Sequence, residues 1–112
     1  MGQFSPGDVI LASLRLGGAE TKKTRPAVVI TASSDGSLVV CPISSRASPD
    51  GSSVPLSLDD FARGGLDMFE ESYILTAHRI VIRRNAVIAK KGKVTDEVSA
   101  AVASLVRHSG RR

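Results

Sequence analysis

For most of its length the chain sets short apolar runs between polar, turn-forming stretches, and only the last segment shows a helical repeat. Val9 to Leu14 is apolar and follows Pro6-Gly7-Asp8, a turn signal, so it reads as a strand. The stretch Gly17-Gly18-Ala19-Glu20-Thr21-Lys22-Lys23-Thr24 has no periodicity and reads as a loop. Pro26 to Thr31 is β-branched, with Pro26 suited to a strand's first position. Ser33 to Ser37 is a turn, and Leu38 to Ile43 is the next strand. Short connections make an antiparallel meander of these strands the economical arrangement.

Further on, Ser44 to Ser53 is rich in Ser, Pro and Gly and reads as a loop. Val54-Pro55-Leu56 suits a short edge strand, because proline cannot donate to a ladder. Leu58 to Arg63 fits one helical turn stopped by Gly64-Gly65, and Ser72 to Thr76 and Arg79 to Ile82 fit strands. Arg83 to Val94 is a basic connection with weak strand or short-helix character. The final segment is a helix: Thr95 is a good N-cap, and Asp96 and Glu97 suit the positive end of the dipole. Val98, Ala101, Val102, Leu105 and Val106 share one face, Arg107 and His108 suit the C-terminal end, and Gly110 is a stop. The helix should cover the open face of the sheet. The expected architecture is mainly β with α: one domain over 1–112, a small curved antiparallel sheet or partial barrel with a terminal helix and no internal repeat.

Composition narrows the class. At 112 residues the chain supports one core without staples. A single cysteine excludes an internal disulfide framework and a cysteine-based zinc site within one chain. Cys41, inside an apolar run, reads as a small buried hydrophobe. No apolar run approaches membrane-spanning length, and the N-terminus lacks the pattern of a signal peptide, so a cytoplasmic protein without membrane attachment is expected. Two histidines far apart in sequence show no metal-ligand spacing, and no Gly-rich phosphate motif is present, so no metal or cofactor is expected. The net charge is +4, with basic clusters at Lys22, Lys23 and Arg25; Arg79, Arg83 and Arg84; Lys90, Lys91 and Lys93; and Arg107, Arg111 and Arg112. A group of acids falls between Asp59 and Glu71. This balance suits a polyanion or an acidic protein as partner, or simply a solvated basic face. With three Phe, one Tyr and no Trp, stacking of bases on an aromatic platform is poorly supported.

Several motifs in order resemble the MazF/PemK toxin family. They are Gly7-Asp8-Val9-Ile10-Leu11, then a loop containing Gly and Glu, then Lys23-Thr24-Arg25-Pro26-Ala27-Val28-Val29-Ile30, then Val40-Cys41-Pro42-Ile43-Ser44-Ser45. Asp67 through Glu71-Ser72-Tyr73-Ile74-Leu75 resembles the family's approach to its last central strand, and Lys91-Gly92-Lys93-Val94-Thr95-Asp96-Glu97 its approach to the final helix. The resemblance implies an SH3-like barrel with appended helices, shared with CcdB-type toxins. It implies metal-independent, sequence-selective cleavage of single-stranded RNA, a homodimer, and an acidic antitoxin laid across the RNA groove.

Metal-free RNA scission needs a base for the 2′-hydroxyl, an acid for the leaving 5′-oxygen and cations for the phosphorane. The family motif places its catalytic arginine at Arg25, and a guanidinium suits phosphate oxygens; the alternative is an arginine that pairs a carboxylate to close the sheet. Ser44 matches the family's hydroxyl position, usually threonine, and would bond the scissile phosphate or relay a proton; otherwise it makes a local turn bond. Ser45 is a lesser candidate for that work. Glu20 matches an acidic residue of the first loop and would serve as base if partly desolvated, or remains a solvated loop acid. His78 departs from the family's Gln-Ile-Arg-Thr, here Ala77-His78-Arg79-Ile80, and would supply an acid or base near neutrality, or pack as a bystander. Lys22, Lys23, Thr24, Arg46 and Arg79 complete the expected RNA-binding set. His108 reads as a dipole partner of the helix.

Two other classes stay open. One is a non-catalytic module on the same barrel, poisoning a protein such as DNA gyrase as CcdB-type relatives do, or binding nucleic acid, DNA included, without cutting. The other is an SH3-like adaptor, which lacks the aromatic groove that proline ligands need.

Overall fold

In a computed structural model, the β-branched runs pair as the meander requires. It describes residues 3–15, 21–65 and 72–109, the last three as backbone alone. Asp8–Leu14 (β1), Lys23–Ala32 (β2) and Ser37–Ser44 (β3) are antiparallel in chain order, with Val9 opposite Val28 and Val28 opposite Cys41. Strand alternation sends their side chains to opposite faces. One face gathers Val9, Val28, Cys41 and Ile43 with Val54, Leu56 and Ile74, and the other gathers Ile10, Ala12, Leu14, Ala27, Val29, Leu38 and Val40.

The remaining strands extend and curl this sheet. They are Ser53–Leu56 (β4), Phe61–Gly64 (β5), Ser72–Leu75 (β6), Ile80–Arg83 (β7) and Val87–Val94 (β8). The sheet order is β4-β6-β3-β2-β1-β8-β5, with β7 also paired to β3. The outer edge of β3 therefore changes partner along its length, from β7 at Ser37–Val40 to β6 at Ile43 and Ser44. The helix Asp96–Ser109 (α1) buries Val98 and Val102 against the first face, with Leu105 and Val106 packed beside them. Thr95 caps it, its hydroxyl oxygen accepting from the Val98 N–H at 3.4 Å. Ile80, Ile82, Val87 and Phe4 cover the second face.

Some expectations need correction. Leu58–Asp60 is a 3-10 turn, but Phe61–Gly64 is a strand paired to β8, so the expected helical turn stops three residues early. The connection 83–94 is a 3-10 turn at Arg84–Ala86 followed by a full strand, β8, wedged between β1 and β5. Its lysines mask the strand: after the apolar start Val87-Ile88-Ala89, Lys90, Lys91 and Lys93 break the pattern before Val94. Pro26 is the fourth residue of β2, not the first, and lies opposite Leu11. The β2–β3 ladder ends at Ala27 opposite Pro42, so both prolines fall where pairing stops. Ala101 is exposed rather than on the buried face of α1. Gly17-Gly18, Asp67 to Glu71, Gly110, and the Arg107 and His108 side chains lie outside the described residues. Among those described, no helix is long and apolar enough to cross a membrane.

Two local devices hold β8 in place. Asp8 is buried; it accepts the Ser5 N–H at 2.8 Å and faces the ammonium groups of Lys90 and Lys93 at 3.2 and 3.6 Å. This ties the first turn of the chain to β8. At the other edge, Gly64 lies opposite Gly92. A Cβ on Gly64 would overlap the Lys91 carbonyl oxygen and come 2.7 Å from the Gly92 Cα, and Gly64 has φ +68°.

Two outcomes are expected in thermal or urea unfolding. Asp8→Ala costs about 2 kcal/mol, below the loss for a fully buried pair because both lysines are partly solvated. Gly64→Ala and Gly92→Ala each cost at least about 2 kcal/mol by forcing β5 from β8, whereas Gly65→Ala, whose Cβ would meet Leu58 at an ordinary 3.6 Å, is close to neutral.

Candidate active site

Arg25 and Ser44 occupy the same end of the sheet. Ala27 and Pro42 are cross-strand partners and share a face. Two residues beyond this last pair come Arg25 on β2 and Ser44 on β3, which strand alternation directs toward the same side. Arg25 also lies opposite Ala12 of β1. Its side chain is half-buried, and its Nε is buried with no hydrogen-bond partner among the described residues. No carboxylate pairs Arg25 among the described residues.

Ser44 is the last residue of β3 and is half-buried opposite Tyr73 of β6. Its Oγ accepts the Arg46 N–H at 3.1 Å. That bond uses an oxygen lone pair and leaves the hydroxyl proton to donate. The local turn bond and a role toward phosphate are therefore compatible. Ser45 and Arg46 follow in the exposed loop.

Lys22, Lys23 and Thr24 are exposed at the start of β2, with Lys23 opposite Leu14 and Thr24 opposite Ser13. They lead directly to Arg25. Glu20 lies outside the described residues.

His78 sits in the exposed turn after β6, its backbone N–H donating to the Leu75 carbonyl at 3.2 Å. Thr76, two residues before it, is buried and donates through both N–H and hydroxyl to the Ser52 carbonyl, so this turn is fastened to the β3–β4 loop. Asp50 in that loop is held below the usual carboxylate range. The Ser52 hydroxyl, at 2.6 Å, and the Ser52 N–H, at 3.0 Å, are the main causes, and His78 adds a small charge effect. Among the described residues no hydrogen bond links His78 to Arg25 or Ser44. Arg79 is exposed beside it.

Cys41 is fully buried on the helix side of β3. Burial pushes its thiol up to about 11, against the smaller opposing pull of Arg79. Sequence patterning left out Arg15, Arg83 and Asn85, which line a groove with Lys22 at the end of β1. The cluster of Arg79, Arg83 and Arg84 was the available signal, but nothing in the sequence brought it to Lys22.

A curled antiparallel sheet with a packed C-terminal helix and cations at the start of its second strand places the chain among the MazF-like toxin folds. The Mycobacterium tuberculosis toxin MazF-mt6 aligns with a TM-score of 0.68 at 19% identity, over 91% of this chain and 94% of that one. A chain of a MazE–MazF structure from Deinococcus radiodurans aligns with a TM-score of 0.69 at 19% identity, over 93% of this chain and 92% of that one. An endoribonuclease in complex with its cognate antitoxin, from a mycobacterial species, aligns with a TM-score of 0.60 at 11% identity, over 96% and 94%. Among curated protein sequences none matches. The family described as PemK-like, MazF-like toxin of type II toxin-antitoxin system matches residues 5–109. The chain belongs to that family of toxins.

The thiol position gives a direct check. Native Cys41 should resist iodoacetamide at pH 8 while the urea-unfolded chain is alkylated readily, read by mass spectrometry. Rapid labelling of the native protein would place the side chain elsewhere.

Proposed function

We propose that this toxin is a metal-independent endoribonuclease that cuts single-stranded RNA by attack of the 2′-hydroxyl on the adjacent phosphate. The observation that carries this reading is that Arg25 and Ser44 follow the last β2–β3 pair, Ala27 and Pro42, at the same end of the sheet, with no carboxylate paired to Arg25 among the described residues. Arg25 neutralises charge growing on the phosphorane, and the Ser44 hydroxyl donates to a phosphate oxygen. Lys22, Lys23, Thr24, Ser45, Arg46 and Arg79 flank the scissile linkage and hold phosphates or sugar. Proton transfer is assigned to Glu20 and His78, a carboxylate and an imidazole, side-chain types that serve as general base and general acid. The +4 net charge suits both the substrate and an acidic antitoxin. As in the toxin–antitoxin complexes among the structural neighbours, such an antitoxin is the proposed protein partner, and the active form is a homodimer.

The test is incubation of the purified protein with unstructured RNA in excess EDTA, followed by mapping of the ends. Cleavage leaving 2′,3′-cyclic phosphate and 5′-hydroxyl ends is expected. Arg25→Ala should lower kcat by at least about 100-fold, and Ser44→Ala by about tenfold, with melting and circular dichroism unchanged. Intact RNA in EDTA, or cleavage indifferent to Arg25→Ala, removes this reading. Intact RNA with gyrase-dependent DNA breakage would assign the chain to the CcdB-type mode.

A further inference from the structure

The curl of the sheet leaves a seam. Among the described residues β7 pairs with β3 alone, and the chain then crosses through Arg84–Ala86 to β8, on the far side of β1. Between β7 and the end of β1 the seam opens as a groove of about 460 Å³. Leu14 and Ile80 belong to the packed second face and give it an apolar lining. Arg15 and Lys22 stand on one wall, and Arg83 and Asn85 on the other. All four side chains are exposed, and among the described residues no carboxylate lines the groove. The acid that feels Arg83, Asp35, lies in an adjoining hollow, where its carboxylate accepts the Ser37 N–H at 2.9 Å.

Cations on both walls of an apolar-lined trough attract a strand that carries charge at regular intervals and has flat, less polar groups between. The groove also adjoins the candidate catalytic pair. Lys22 is three residues from Arg25, roughly 10 Å of extended chain. A single strand held at Arg25 can therefore continue past Lys22 into the seam.

We propose that this seam is a flanking subsite for single-stranded RNA, in which Arg15, Lys22 and Arg83 hold phosphates next along the strand from the one at Arg25 and Ser44. It deepens the nuclease reading and rests on it for the identity of the strand. Its contribution is uniform binding: a contact equally strong in the ground and transition states sets KM and leaves kcat alone. Asn85, with a donor and an acceptor, is placed to touch a base or sugar.

The experiment compares the wild type with R15A/R83A and the charge-keeping R15K/R83K. Cleavage of a random-sequence single-stranded RNA pool is followed at several salt concentrations. Binding of a fluorescein-labelled 12-nucleotide oligouridylate is followed by anisotropy. For R15A/R83A, KM should rise about fivefold with kcat unchanged, and the salt slope of kcat/KM should shrink by about 1.4, two single-strand phosphate contacts at ~0.7 each. R15K/R83K should stay near the wild type. An unchanged KM and slope, or a fall in kcat alone, overturns the subsite while leaving the nuclease standing. If the wild type binds the oligouridylate without cutting RNA, and R15A/R83A weakens that binding, the nuclease reading falls and the subsite holds. Weakened binding of polyglutamate with oligouridylate binding intact overturns it in favour of an acidic peptide.

Discussion

The register of β2 against β1 and β3 is the constraint on which the candidate site depends. A slip of β2 by one residue would turn Arg25 to the helix side, away from Ser44, and send Val28 the other way. Apolar side chains on both faces forbid that slip. Val9, Val28 and Cys41 are buried against α1, and Ile10, Ala27 and Val40 are buried on the opposite face. Each fully buried residue of the size of Val or Ile represents about 1.5–3 kcal/mol of transfer free energy, so a slipped ladder loses far more than one hydrogen bond. The cationic end of the sheet is thus held in place by an apolar core.

That end of the sheet is also where regular pairing runs out. Pro42 is opposite Ala27 in the last pair of β2 with β3, and Pro26 comes next on β2. Neither proline has an N–H to offer. The strands remain extended, with Arg25 opposite Ala12 and Ser44 opposite Tyr73, but each is braced from its outer neighbour. The inner edge between them is left to side chains. Arg25 and Ser44 thus stand on backbones that are fixed from outside.

Closure of the fold around this end relies on features with no direct part in chemistry. Asp8 gathers Ser5, Lys90 and Lys93, joining the beginning of the chain to β8. The Gly-Asp pair that marks the family is therefore a structural clasp here. Gly64 and Gly92 let β5 approach β8 more closely than any side chain allows. With β8 fixed on both edges, the sheet curls, and β7 is left facing the end of β1 across an unpaired seam.

Much of this was legible in the amino-acid order. Dense runs of β-branched residues with short turns determined β1, β2 and β3, and the helical period of Val98, Val102, Leu105 and Val106 determined α1 together with its Thr95 cap. The motif around Arg25 and the hydroxyl at Ser44 marked the candidate site. Strands β5 and β8 were obscured because their stability comes from partners: β8 carries lysines whose charge is answered by Asp8, some eighty residues away, and β5 exists only where two glycines meet. The same holds for the seam. Local propensity is written in neighbouring residues and so is readable from the chain, whereas the approach of Arg83 to Arg15 and Lys22 follows from the curl of the whole sheet, which no local pattern encodes.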